Sequence, residues 1–91
     1  METVARNVIF TGRVQGVGFR YTVCHIASNL PITGYVRNMP GGAVEALFQG
    51  TEKDIQTCID KIKDCLGQYI RDIDISPVVP ATDYTDFDIT F

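Results

Sequence analysis

The sequence predicts an α+β sandwich in which two helices cover one face of an antiparallel sheet of four to five strands. Its apolar pattern switches between strand-like and helix-like periods in the order β-α-β-β-α-β, with one further strand at the end. Each helical segment carries a single apolar stripe and so buries one face. The 91 residues, 45% of them apolar, are enough for one hydrophobic core and too few for two. We therefore expect residues 1–91 to form a single domain.

The first half of the chain begins with a strand and a helix. Val8–Thr11 is rich in β-branched and aromatic residues and ends at Gly12, which is typical of a strand. From residue 19 the apolar positions recur at i, i+4, i+7, i+8 and i+11, which is one face of a helix that ends before Pro31. These positions are Phe19, Val23, Ile26, Ala27 and Leu30. Arg20 then lies in the first turn of that helix.

A hairpin follows the first helix. Ile32–Asn38 is the second extended segment, and Met39–Gly42 has Pro and Gly at the positions that a type II turn requires. The return strand alternates between two faces and ends at Gly50. This arrangement predicts two adjacent antiparallel strands with Asn38 at the end of the first.

The second half of the chain supplies the second helix and two closing strands. Thr51 and Asp54 resemble a capping box with Asp in place of Glu or Gln, and Gly67 ends the helical pattern. The apolar stripe between them comprises Ile55, Cys58, Ile59, Ile62, Cys65 and Leu66. The closing strands are Tyr69–Ile75 and Asp86–Phe91.

This order of elements is that of the ferredoxin-like sandwich. In such a split βαβ arrangement the first and second strands run in the same direction, so their carboxyl ends emerge at the same edge of the sheet. The loop after the first strand and the residue that ends the second strand can therefore meet. The topology predicts that Arg20 and Asn38 lie close together.

The loop Gly12–Arg20, with the sequence GRVQGVGFR, has the features of an anion site. It leads into the first turn of a helix, where backbone N–H groups lack partners and the dipole favours negative charge. Gly16 and Gly18 can adopt the positive φ that curls several N–H groups toward one point. Arg20 offers a planar pair of donors to phosphate oxygens, and Asn38 could orient a water. The alternative interpretations are a tight structural turn for the loop, a surface arginine for Arg20 and a turn-forming residue for Asn38.

Three segments of the sequence together resemble the signature of the acylphosphatase family. They are Gly12–Arg20 (GRVQGVGFR), Gly34–Asn38 (GYVRN) and Gly42–Glu45 (GAVE). The likeness also covers the length of the chain and its order of elements. It implies the family's ferredoxin-like fold and hydrolysis of acyl phosphates to a carboxylate and inorganic phosphate, with no metal and no organic cofactor.

The resemblance also implies roles for individual residues. Arg20 would bind the phosphoryl group, and Asn38 would position the attacking water. The backbone of the loop would cradle the phosphate. This part of the site comprises Gln15, Gly16, Val17, Gly18 and Phe19.

This chain departs from the family pattern at two positions and leaves a third feature open. Family members often carry hydroxyl residues where this chain has Met39 and Ala43, so we expect an altered rate rather than lost function. In some members the C-terminal carboxylate approaches the catalytic arginine. Phe91 would carry that carboxylate here.

Charge and composition exclude several classes of partner. Eleven acidic and eight basic side chains give a net charge of −3, which argues against a nucleic-acid partner. No apolar run reaches the ~18 residues of a membrane span, and the amino terminus lacks a signal-peptide pattern. We expect a cytoplasmic protein that acts on a small-molecule acyl phosphate. Three cysteines without metal-ligand spacing are interpreted as small buried hydrophobes: Cys24, Cys58 and Cys65.

Two other functions are compatible with the same fold. A ferredoxin-like RNA-recognition module would show aromatic residues in its binding strands and a basic face, and this chain shows neither. An acylphosphatase-like domain within a larger carbamoyl-transfer or maturation enzyme is the second alternative, although the length favours a free-standing enzyme. The strand around residues 69–75 bears charges that discourage edge pairing, so we expect a monomer: Arg71, Asp72 and Asp74.

Overall fold

The computed structural model describes residues 2–81 and 84–90 and confirms the predicted alternation of strands and helices. The strands are β1 (Val4–Gly12), β2 (Thr33–Asn38), β3 (Val44–Gly50), β4 (Ile70–Val78) and β5 (Phe87–Ile89). The helices are α1 (Phe19–Ser28) and α2 (Glu52–Leu66), and a short 3₁₀ turn, Gly67–Tyr69, follows α2. The predicted boundaries differ at β1 and β4, which extend beyond the predicted segments, and at β5, which is shorter than the predicted segment Asp86–Phe91.

The five strands form one sheet in the order β4-β1-β3-β2-β5. Every pair is antiparallel except β2 with β5, which is parallel, so the predicted antiparallel sheet of four to five strands is a five-stranded sheet that is mixed at one edge. The reason is the connection between β4 and β5, residues 79–86, which joins the two opposite edges. Four strand spacings amount to about 19 Å, and eight extended residues reach roughly 26–29 Å. The connection is therefore long enough to cross the sheet but too short to run along the strands as well. For this reason β5 starts at the same end of the sheet at which β4 finishes.

The two helices pack on one face of the sheet and enclose the hydrophobic core. The sheet contributes alternate residues of its three central strands, as the period of two predicts. Buried residues from the sheet include Val8, Phe10, Val36, Val44, Ala46 and Phe48. Those from the helices are Phe19, Val23, Ala27, Ile55, Cys58, Ile59, Ile62 and Leu66. The predicted ferredoxin-like layering, with both helices on one face, is confirmed.

The opposite face of the sheet is also partly covered. Gln49 holds the β4–β5 connection there, because its Nε2 donates to the Ala81 carbonyl at 2.9 Å and its Oε1 accepts from the Ala81 N–H at 2.6 Å. Nearby, the rings of Tyr35 and Tyr84 lie 5.8 Å apart. As a result Glu45 and Gln49 on β3 are only 9% and 4% exposed. Alternation along a strand cannot reveal this cover.

Gly34 allows the backbones of β2 and β3 to approach each other closely. Its φ is +135°, and a Cβ at this position would overlap the Leu47 carbonyl oxygen. Only glycine fits such a position. The contact keeps the last residues of β2, and Asn38 with them, in register with β3.

Helix α2 begins at a cap made of side chains from this chain. Thr51 Oγ1 accepts from the Asp54 N–H at 3.1 Å, which is the first half of the predicted capping box. The second half differs, because the Asp54 carboxylate accepts from the Thr51 hydroxyl at 2.9 Å instead of reaching a backbone N–H. At the other end Gly67 has φ −55° and continues into the 3₁₀ turn, so it does not act as a left-handed cap.

We expect Thr51→Ala to lower the free energy of unfolding by about 1 kcal/mol, because it leaves an N–H of the first turn without its acceptor. Urea unfolding followed by circular dichroism measures this change. Thr57→Ala is the matched control, since Thr57 lies inside α2 and is not its cap. Equal losses in the two variants would show that the cap makes no particular contribution.

The three cysteines have different environments, so the interpretation that all are buried is wrong for two of them. Cys58 is fully buried under the sheet, Cys24 is partly exposed and Cys65 is exposed at the edge of the apolar stripe. Burial raises the pKa of the Cys58 thiol from 9.0 to about 12. A raised pKa keeps the thiol protonated, so Cys58 is inert at neutral pH.

A thiol-specific disulfide reagent at pH 8 should therefore modify Cys65 quickly in the folded protein and Cys58 only after unfolding. Peptide mass mapping after brief labelling measures the modified sites, and Cys65→Ser should remove the fast phase and leave only slower labelling of the partly exposed Cys24. Rapid labelling of Cys58 in the folded protein would contradict its burial.

Candidate active site

The carboxyl ends of three strands meet at one edge of the sheet. β1 and β2 both pair antiparallel with β3, so they run in the same direction, as the topology predicted. Val44 is the shared neighbour, because it pairs with Phe10 on one side and with Asn38 on the other. Phe10 and Asn38 are thus two strand spacings apart, about 10 Å. β5 is parallel to β2 and adds its own carboxyl end at Ile89.

The loop after β1 is fixed at both ends and exposed between them. Val14 is 0% exposed and Phe19 is 2% exposed, and the Phe19 ring packs edge-on against Phe10 with 5.2 Å between centroids. The four intervening residues, 15–18, are exposed. Two buried anchors therefore hold a short exposed arc in place at the edge where the strands end.

The backbone of this arc is shaped to surround an anion. Gly16 has φ +82° and Gly18 has φ +74°, as their predicted role requires. Gly18 is the N-cap of α1 and makes no side-chain cap hydrogen bond. Alternating left-handed glycines turn successive N–H groups toward the same side of the chain.

The two helices differ in how their first turns are satisfied. In α2 the Thr51 side chain caps the first turn, which also contains Glu52 and Asp54. In α1 no side chain caps the first turn, and it contains no acidic residue. Its N–H groups and the positive end of its dipole face the loop. The N-terminus of α1 is the one left available for an external anion.

Arg20 lies in the first turn of α1 and is partly buried. Its Nη1 donates to the Thr90 carbonyl at 3.4 Å, a long hydrogen bond that brings the chain beyond β5 to the same place. The predicted approach of the Phe91 carboxylate lies outside the described residues. Adjacent Phe19 is buried, so the backbone that carries the guanidinium is firmly held.

A cavity of about 200 Å³ lies between the loop, the start of α1 and the end of β2. Five of the seven predicted site residues line it: Gly16, Gly18, Phe19, Arg20 and Asn38. The other two, Gln15 and Val17, belong to the same loop but do not line the cavity. Its wall also includes three residues that sequence analysis did not assign to the site: Val14, Tyr21 and Ile89.

The sequence indicates some of these additional cavity residues better than others. Val14 and Tyr21 adjoin predicted site residues, and Tyr21 is 71% exposed at the mouth of the cavity. Ile89 and Thr90 come to the site only because β5 lies parallel to β2, where the Thr90 N–H donates to the Val36 carbonyl at 2.9 Å. The sequence pattern assigned no neighbouring strand to β5, so it could not indicate them.

The side chain of Gln15 has a contact that its predicted role did not include. Its Nε2 donates to the Met39 carbonyl and to the Ala43 carbonyl, both at 2.9 Å. These two residues close the β2–β3 turn, since the Met39 N–H donates to the Ala43 carbonyl at 2.8 Å. The predicted type II turn fits this geometry, with Gly41 at φ +92°.

The arginine that precedes Asn38 faces away from the cavity. Arg37 lies on the opposite face of the sheet, where its Nε is 2.6 Å from Glu45 Oε1. This hydrogen bond and the negative charge of Glu45 raise the pKa of Arg37. Burial and then Glu45 raise the pKa of neighbouring Tyr35, and Arg37 opposes this effect. The ion pair between Arg37 and Glu45 stabilises the end of β2 on the face of the sheet opposite the cavity.

Within the described residues, no cluster of three or more His, Cys, Asp or Glu side chains is placed to hold a metal ion. The same part of the chain contains no helix that is both long and apolar enough to cross a membrane.

The fold and this cavity together define a ferredoxin-like sandwich with an anion-suited site at the edge where β1 and β2 end. A family model described as Acylphosphatase matches residues 6–89. The chain belongs to the acylphosphatase family, as its motifs predicted, and the predicted enzyme class is confirmed with it.

Relatives match all or nearly all of the chain. It is 40% identical to an acylphosphatase of Lactobacillus gasseri over 93 residues, covering 100% of both proteins. It is 41% identical to an acylphosphatase of Picrophilus torridus over 83 residues, covering 91% of this chain and 98% of that protein. Among solved structures, the acylphosphatase from Bacillus subtilis superposes with a TM-score of 0.88 at 31% identity, over 97% of this chain and 99% of the other.

One solved relative is a much longer protein. Full-length HypF matches 99% of this chain with a TM-score of 0.83 and 31% identity, but the match spans only 12% of the HypF chain. The same domain therefore occurs both alone and within a larger protein.

Proposed function

We propose that this protein hydrolyses acyl phosphates to a carboxylate and inorganic phosphate, with Arg20 and Asn38 as its catalytic side chains. The observation that carries this proposal is that both side chains line one cavity with the uncapped N-terminus of α1. Family membership supports the reaction. The assignment of individual roles is ours.

The phosphoryl group would bind where three sources of positive potential converge. Arg20 supplies a full charge and parallel donors, the loop from Gln15 to Phe19 supplies N–H groups, and α1 supplies its dipole. The net charge of −3 opposes anions at long range, but donors a few ångströms away dominate at the site. A small phosphorylated molecule can therefore bind where a polyanion would be repelled.

Asn38 would hold the attacking water. Asn38 is exposed at the end of β2. It lies two residues after buried Val36, so both side chains project from the face of the sheet that the helices cover. The side chain thus points toward the layer that contains the start of α1. A carboxamide offers both a donor and an acceptor, so it can orient one water toward phosphorus.

The chemistry needs few groups because the leaving group is a carboxylate, which is stable as an anion at neutral pH. A bond forms between the water oxygen and phosphorus, and the bond from phosphorus to the carboxylate oxygen breaks. The water proton passes to a phosphoryl oxygen of the substrate. Phosphoryl transfer of this kind depends mainly on position and charge stabilisation, which donors held in advance provide.

Steady-state hydrolysis of benzoyl phosphate in the presence of EDTA tests the proposal. We expect rapid turnover, and much slower hydrolysis of phenyl phosphate, whose leaving group is a poor anion without a proton donor. An enzyme that is inactive on benzoyl phosphate, or equally active on both compounds, would contradict it.

We propose a monomeric cytoplasmic enzyme whose residues 1–91 act as one domain. The charged edge strand β4 and the free thiols of Cys24, Cys58 and Cys65 are consistent with this view. Light scattering and cell fractionation test the first two points.

A further inference from the structure

The side chain of Gln15 links the two halves of the site. The phosphate loop and Asn38 belong to different segments, and nothing in the local sequence of either sets the distance between them. Gln15 spans this gap, because its Nε2 donates at 2.9 Å to both carbonyls at the base of the β2–β3 turn, those of Met39 and Ala43.

The geometry of this contact is specific. Both partners are carbonyl oxygens, which only accept, so the amide nitrogen rather than the amide oxygen must face them. Both amide hydrogens are used. Met39 directly follows Asn38, and the bond from the Met39 N–H to Ala43 at 2.8 Å makes the turn base rigid. A shift of the Gln15 side chain would move the turn relative to the loop.

We propose that the side chain of Gln15 is a positioning residue that fixes Asn38, and hence the attacking water, relative to the phosphoryl group. The inference rests on the proposed function. It concerns the side chain, whereas the predicted phosphate contact of Gln15 would be made by its backbone. The backbone donors and Arg20 stay in place without the amide, so phosphate binding and water positioning become separable.

We expect Gln15→Met to lower kcat about 10- to 10²-fold, since a displacement of about 1 Å in a reacting group has effects of that size. The inhibition constant of inorganic phosphate should change less than the kcat does. Gln15→Asn should behave similarly, because its shorter side chain cannot reach both carbonyls. If phosphate inhibition weakens as much as kcat falls, the loop itself has been disturbed and the proposal is wrong.

A double-mutant cycle gives the decisive test. If Gln15 acts through Asn38, then Gln15→Met should have little further effect on kcat in an Asn38→Ala background. Fully additive effects would overturn the inference. An inactive wild type would instead overturn the proposed function, so the two failures are distinguishable.

Gln49→Met is the matched control. Gln49 also makes hydrogen bonds with its amide, two to Ala81 on the far face of the sheet and a longer one, 3.4 Å, to the Thr33 hydroxyl, and it is more deeply buried than Gln15. The same substitution there should lower the stability and leave kcat near the wild-type value. A kcat loss equal to that of Gln15→Met would assign both effects to general destabilisation.

Discussion

Replacing Arg20 with Ala should lower kcat/KM for benzoyl phosphate by about 10³-fold or more, which is the size of effect that a principal phosphoryl-stabilising group has elsewhere. Among the described residues that line the cavity, Arg20 is the charged one, and the others are apolar residues, glycines, the phenol of Tyr21 and the amide of Asn38. Phosphate inhibition should weaken in parallel.

Two further variants separate charge from geometry at this position. Arg20→Lys keeps the positive charge but loses the planar pair of donors, so it should recover only a small part of the lost activity. Arg71→Ala is the control, since Arg71 is exposed on the edge strand β4. An Arg20→Ala enzyme that stays folded and retains near wild-type activity would refute the role of Arg20 in the reaction.

Replacing Asn38 with Ala should lower kcat by about 10²-fold and change KM and phosphate inhibition much less, because the side chain positions the water rather than the phosphate. Asn38→Asp should be no better. Its carboxylate keeps the shape of the amide but repels the phosphoryl oxygens and cannot donate to the water.

The stopped-flow or steady-state kcat of each variant, beside its phosphate inhibition constant, measures this separation. Asn29→Ala is a suitable control, because Asn29 lies at the far end of α1 and its amide donates to the His25 carbonyl at 2.8 Å. A large rise in KM with unchanged kcat would show that Asn38 binds substrate and does not position water.

Sequence reasoning reached the fold and the meeting of the two motifs by a short chain of physical steps. Helical and strand periods located the elements, and the split βαβ order required β1 and β2 to run in the same direction. That direction alone predicted that Arg20 and Asn38 would approach each other, and both line the same cavity. Their catalytic roles stay predictions.

What the sequence did not reveal depends on long-range packing. The parallel pairing of β5 follows from a connection that crosses the sheet, and no local pattern encodes a partner at that distance. The contact from Gln15 to Ala43 joins residues 28 positions apart. Cys65 lies at the margin of an apolar stripe, where a helical period cannot separate a buried side chain from an exposed one.

The most direct test of the central claim is the hydrolysis of benzoyl phosphate in water enriched in ¹⁸O, with mass spectrometry of both products. Attack by a water at phosphorus predicts one heavy oxygen in the inorganic phosphate and none in the benzoate. Heavy oxygen in the benzoate would mean attack at the carbonyl carbon and would contradict a site in which Arg20 holds the phosphoryl group and Asn38 directs water to it.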